Sequence, residues 1–137
     1  MPQRPQWDPA WTVGHDATDG EHRALLEQCN RLADLCAAGP DAQADFDRAF
    51  DELVALARRH FAAEAALLAR LAPADGPDAD DPGMAGAEFE ELLESFVAPG
   101  HFDRLELQRF IALWWLGHVA ETAPQLRTLL ARDAGSR

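Results

Sequence analysis

The stretch DAQADFDRAFDELVALARRHFAAEAALLARL, residues 41–71, decides the fold. Its apolar or inward positions fall at Phe46, Phe50, Leu53, Ala57, His60, Glu64, Leu67 and Leu71. The gaps between them alternate four, three, four, three, the period of an α-helix that presents one stripe to a core. Gly39-Pro40 stands just ahead of the run and closes whatever helix precedes it.

Outward from this helix the same period recurs. A first helix is predicted over Asp19–Ala38, with His22 in register with Leu25, Leu26, Cys29, Leu32 and Cys36. After a loop rich in Pro, Gly and Asp at residues 73–83, a short third helix is predicted over Met84–Val97, with Phe89, Leu93 and Phe96 inward. Pro99-Gly100 breaks the chain, and a fourth helix is predicted over Phe102–Arg132, with Leu107, Ile111, Trp114, His118, Thr122 and Leu129 on its stripe. Pro124 deletes one backbone bond in that helix and is expected to bend it. Nothing alternates with period two, so no strands are expected. The chain therefore reads as all-α, an antiparallel up-down-up-down four-helix bundle. Residues 1–18 form an irregular N-terminal arm carrying Trp7 and Trp11, residues 19–132 the bundle, and residues 133–137 a tail.

Composition sets the classes that remain. The chain has 137 residues, 47% of them apolar, which suffices for one core without disulfide or metal staples. Its net charge is -12 and its basic residues are all arginine, which argues against nucleic acid and anionic membranes as partners and excludes lysine Schiff-base chemistry. Cys29 and Cys36 lie on one predicted helix, roughly 10 Å apart at about 1.5 Å per residue, too far to pair with each other. They read as reduced, core-filling thiols, consistent with a cytoplasmic protein. No signal peptide precedes the polar start, and no apolar run approaches the roughly 20 residues of a membrane span.

What interrupts the apolar stripes carries the chemistry. His60 and Glu64 sit one turn apart on the same face, His118 follows Trp114 on the fourth helix, and His22 lies on the first. An isolated carboxylate buried in a core costs several kcal/mol or more, so Glu64 needs a partner. A metal ion is the simplest partner for three imidazoles and one carboxylate, and nitrogen and oxygen donors suit iron, zinc, manganese or cobalt. His15 and His101, beside Gly14 and Gly100, read as surface residues.

These residues bring a known family into view. The Val13-Gly14 turn followed by Asp19-Gly20-Glu21-His22 resembles the first-helix DxxH signature of bacterial hemerythrins. His60-Phe61-Ala62-Ala63-Glu64 resembles their HFxxE. The run from Leu113 to Val119, with its tryptophans and His118, resembles the approach to their fourth-helix histidine. The resemblance extends from Trp11 to about Leu130. It implies a di-iron centre of five histidines and two bridging carboxylates that binds oxygen at an open position. Carried over by position, His22 and His60 belong to one iron, Glu64 bridges, and His118 belongs to the other iron.

The remaining ligands of that pattern are absent. Aligned on Phe89, the third-helix histidines fall on Pro82 and Gly86, and the second bridging carboxylate falls on Ala123. A complete di-iron centre and reversible oxygen carriage of the family type are therefore not expected. Three outcomes stay open. The four survivors can converge on one metal ion, iron by family or zinc, as facing helices about 8–10 Å apart permit. Glu121, or the loop acids Asp75, Asp78, Asp80 and Asp81, can replace missing ligands. Or His60 and Glu64 can simply pair. The lost imidazoles leave either a cavity for a small ligand or a space filled by Trp115, Phe89 and Met84. The leading expectation is a non-catalytic domain with one metal at His22, His60, Glu64 and His118, binding or sensing a small ligand such as oxygen or nitric oxide. A mononuclear non-haem iron enzyme and a metal-free partner-binding bundle are the alternatives.

Overall fold

The computed structural model describes residues 1–71, 84–97 and 103–135. It contains four helices, α1 (Asp16–Ala37), α2 (Gln43–Leu71), α3 (Met84–Val97) and α4 (Arg104–Gly135), with short 3-10 turns at Pro9–Trp11 and Pro40–Ala42. Among the described residues there are no strands, and no helix is long and apolar enough to cross a membrane. The all-helical expectation holds.

The first helix begins a turn earlier than its apolar pattern suggests, because His15 caps it. The His15 ring accepts from the Thr18 amide at 3.3 Å and meets the Thr18 hydroxyl at 2.7 Å, while Asp16 and Asp19 place negative charge in the first turn. His15 is thus a half-buried cap and not the surface residue that its place beside Gly14 suggested. Asp19 has a second task. Its carboxylate accepts from the backbone N–H of Val13 at 2.9 Å and of Gly14 at 3.3 Å, fixing a turn in which Gly14 takes a φ of 86°. At the other end the chain leaves α1 through Gly39, with a φ of 89°, as the Gly39-Pro40 stop requires.

The core is built where α1 packs on α2 and α4. Trp115, Phe46, Phe89, Leu25, Leu32, Leu53, Leu107 and Ile111 are its largest wholly buried apolar members. On α2 the buried residues include Phe46, Leu53, Ala57, His60, Glu64 and Leu67, as the stripe predicts, with Phe50 and Leu71 half-buried at its margin. On α3 Phe89 and Leu93 are buried, while Phe96 is half-buried and stacks on Phe110 at 4.9 Å.

The fourth helix departs from its predicted stripe. Its buried face is broader and turned by about one residue, taking in Gln108, Ala112, Trp115, Val119, Ala123 and Leu126, with Trp114, Thr122 and Leu129 half-buried. Part of this face is covered by the N-terminal segment, through Gln3 at Gln108 and through Trp11 and Val13 near Ala123 and Leu126. Gln3 donates its backbone N–H to Gln108 Oε1 at 2.9 Å, and Gln108 Nε2 donates to the carbonyls of Gln3 at 2.6 Å and Cys29 at 3.0 Å. Trp7 and Trp11 pack against the core edge-to-face with each other, and Arg127 donates to the Ala10 carbonyl. Helix α4 continues through Pro124 to Gly135.

Candidate metal centre

Three helices bring four polar side chains into one interior point. Helix α1 supplies His22, α2 supplies His60 and Glu64 one turn apart, and α4 supplies His118. All four are buried, at 0%, 1%, 6% and 7% exposure respectively. One potential ligand atom from each lies within 4.8 Å of every other.

The separations have the scale of a coordination sphere. His60 Nε2 is 2.6 Å and His22 Nε2 is 3.6 Å from Glu64 Oε2. His118 Nε2 is 3.3 Å from the same carboxylate, and the Nε2 atoms of His22 and His60 are 3.2 Å apart. Donors held about 2.1 Å from one ion stand about 3.0 Å apart when octahedral and about 3.4 Å apart when tetrahedral. These four side chains can therefore enclose one cation with small adjustments. The resemblance gives His118 to a different iron from His22 and His60, with Glu64 bridging, and its Nε2 faces the same carboxylate as theirs, as either a bridge or one shared ion requires.

Electrostatics keeps the carboxylate charged. Burial alone would push the Glu64 carboxyl up, but the hydrogen bonds from His118, His22 and His60 outweigh it and hold the group far below the usual carboxylate range. Burial pulls the His22 imidazole down, partly offset by Glu64, so this ring favours its neutral form. For His60 burial also acts downward, but the carboxylates of Glu64 and Glu21 together raise it. The deepest negative charge of the core is thus ringed by imidazoles, a set of donors that suits a divalent cation.

Aromatic rings pack beside the cluster. Phe61 stacks on Trp115 at 5.2 Å and meets Phe89 at 6.0 Å and Trp114 at 5.8 Å; Trp114 lies nearly parallel to the His118 ring at 5.3 Å. A Cβ at Gly86 would come within 3.1 Å of the Phe61 ring, so a larger residue there requires Phe61 to give by a few tenths of an ångström. Ala123 is wholly buried. Trp115 and Phe89 are buried here; the Met84 side chain lies outside what is described. Glu121 is exposed and stands apart from the cluster. Pro82, His101 and the acids Asp75, Asp78, Asp80 and Asp81 lie outside the described residues.

Cys29 is fully buried, its thiol pushed up to about 12 by burial, and Cys36 is half-buried with its thiol donating to the Arg104 carbonyl at 3.5 Å. Both are free thiols outside the cluster, in keeping with a packing role. Sequence reasoning missed Glu21, whose Oε1 lies 3.2 Å from His60 Nδ1. Its place beside His22, off the inward stripe, carries no signal of that contact.

The family model described as the hemerythrin HHE cation binding domain matches residues 13–123. No curated protein and no solved structure gives a significant match.

Proposed function

The chain belongs to the hemerythrin HHE cation-binding family, and we propose that it holds a single cation, at His22, His60, Glu64 and His118, where the family pattern holds two irons. The observation that carries this reading is the buried convergence of three imidazole nitrogens and one carboxylate within 4.8 Å. Gly86 and Ala123, which stand where the family pattern puts further ligands, support one ion over two. Iron is the cation the family's chemistry implies, and zinc shares the preference for this donor set.

When bound, the cation supplies a Lewis-acidic and, as iron, redox-active point of attachment. The residues of the chain do the rest. Glu64 balances the charge, the three imidazoles set the coordination geometry, and Phe61, Trp114 and Trp115 keep bulk water from that side. Four protein donors leave a six-coordinate ion with room for a small outside ligand such as oxygen or nitric oxide. We infer a role in binding or sensing such a ligand. Carriage in the family manner draws one electron from each of two irons, for which this chain lacks donors.

The wider reading follows the same lines. The connection across residues 38–42 joins two helices packed on each other, which favours an up-down-up-down bundle. Residues 19–132 form the bundle domain, with 1–18 an arm and 133–137 a tail. Two free thiols and a net charge of -12 support a cytoplasmic protein with neither nucleic acid nor membrane as partner. A second reading rests on the 2.6 Å His60–Glu64 contact, which satisfies the carboxylate without an ion and allows a metal-free, partner-binding bundle.

Elemental analysis of protein purified without chelator decides between them. One equivalent of metal per chain, lost in His60→Ala and in His118→Ala, supports the proposal. Two equivalents of iron with an oxo-bridge absorption, or no metal under any loading condition, refutes it. Oxygen consumption by the iron(II) form with candidate substrates would turn the reading toward a mononuclear iron enzyme.

A further inference from the structure

We propose that Glu21 is a positioning residue for the cation site, holding a proton of His60 on Nδ1 so that Nε2 is the nitrogen that gives its lone pair to a bound cation; the inference rests on the cation reading above. Glu21 and His22 are consecutive on α1. Adjacent helical residues diverge by about 100°, from 3.6 residues per turn, so one helix sends His22 into the centre and Glu21 along its flank to the neighbouring α2. There Glu21 Oε1 comes within 3.2 Å of His60 Nδ1.

The chemistry of this contact has one direction. An ionised carboxylate only accepts hydrogen bonds, so the ring nitrogen facing Glu21 must carry hydrogen. In a neutral imidazole the other nitrogen is then unprotonated, which is the form that ligates. The opposing pull is visible in the same ring. Glu64 Oε2 stands 2.6 Å from His60 Nε2 and would draw a lone ring proton to that nitrogen. Glu21 is the counterweight.

The other imidazole contacts sharpen the contrast. His22 Nδ1 is buried with no hydrogen-bond partner among the described residues, so nothing comparable to Glu21 stands behind that ring. His60 is 1% exposed yet linked through Nδ1 to a carboxylate that is 34% exposed. The site therefore touches the surface of α1 at Glu21. Carboxylates behind ligating histidines orient the ring, and losing one weakens metal affinity about 10–100-fold.

The test uses the full chain with cobalt(II) as the probe. Glu21→Ala is expected to weaken cobalt binding about 10–100-fold and to perturb the visible d–d spectrum. Glu21→Gln keeps an accepting oxygen and should retain most of the affinity, while Glu27→Ala, an exposed acid on the same helix, should change nothing. Nitrogen-15 NMR of the metal-free protein, at a pH high enough that the His60 ring is neutral, supplies a second readout, with Nδ1 protonated in the parent and unprotonated in Glu21→Ala. Cobalt binding by Glu21→Ala within about twofold of the parent, or an Nδ1 that stays protonated, overturns the inference. A parent that binds no cobalt overturns the cation reading, and the Nδ1 measurement then still decides whether Glu21 orients His60.

Discussion

The Nε2 atoms of His22 and His60 lie 3.2 Å apart, on separate helices, and both face the carboxylate of Glu64. Without an ion, Glu64 is met by protons on these rings, whereas a cation takes a lone pair from each nitrogen and sits against the carboxylate directly. Metal should therefore stabilise this fold by mass action. At a hundredfold excess over Kd the gain is about 2.7 kcal/mol. With unfolding entropy of about 2.1 cal/mol/K per residue, that corresponds to a rise in Tm of about 9 °C for a chain of 137 residues. Calorimetry with and without zinc or iron(II) measures it. His60→Ala should abolish the rise, and a parent whose Tm ignores every divalent ion would contradict the site.

Restoring a single family ligand should not restore a second metal. Gly86 faces the Phe61 ring, and an added Cβ would stand 3.1–3.3 Å from it. Gly86→His must displace a ring that also packs on Trp115, Phe89 and Trp114. Overpacking of this kind destabilises by about 1–3 kcal/mol. Denaturant titration should report that loss, and metal analysis should still find no second equivalent. A variant that gained a second ion without losing stability would mean the aromatic wall is not what limits the site.

Some of this was legible in the sequence and some was not, for physical reasons. His22, His60, Glu64 and His118 were legible as inward residues because the helical period alone fixes which side chains share a face. The same period could not choose between Trp114 and Trp115, since adjacent residues straddle the edge of a stripe. That choice depends on tertiary packing, which seats Trp115 against His60, Phe61 and Phe89. His15 beside Gly14 looked like a loop residue, because capping by a histidine ring lies outside the usual Ser, Thr, Asp and Asn signals. Glu21 was hidden for a similar reason: exposed glutamates are common on helices, and only its neighbour on α2 makes this one distinctive.

The two thiols should react very differently. Cys29 is wholly buried and its pKa is pushed up to about 12, so near pH 8 it holds almost no thiolate and no reagent reaches it. Cys36 is half-buried; its pKa is also raised by burial, but less completely enclosed. A thiol-specific reagent followed by mass spectrometry should label the native protein once, at Cys36. Labelling of Cys29 should track unfolding and accelerate in denaturant. Equal rates at both positions in native buffer would contradict the described packing.

Gln108 should be the residue that holds the N-terminal segment to the bundle. It is wholly buried, accepts from the Gln3 amide and donates to the carbonyls of Gln3 and Cys29. Replacing it with leucine keeps an apolar body of similar reach but leaves the Gln3 amide and carbonyl without their partner. Leaving such groups unsatisfied costs about 1–3 kcal/mol, unless the segment detaches and lets water satisfy them. Detachment would uncover the flank of α4 where Trp7 and Trp11 pack against the core. Gln108→Leu should therefore lower Tm and speed amide exchange across residues 3–11, with metal affinity at the distant His60–Glu64 pair little changed. Unchanged exchange in that segment would show that the tryptophans, and not the glutamine, anchor it.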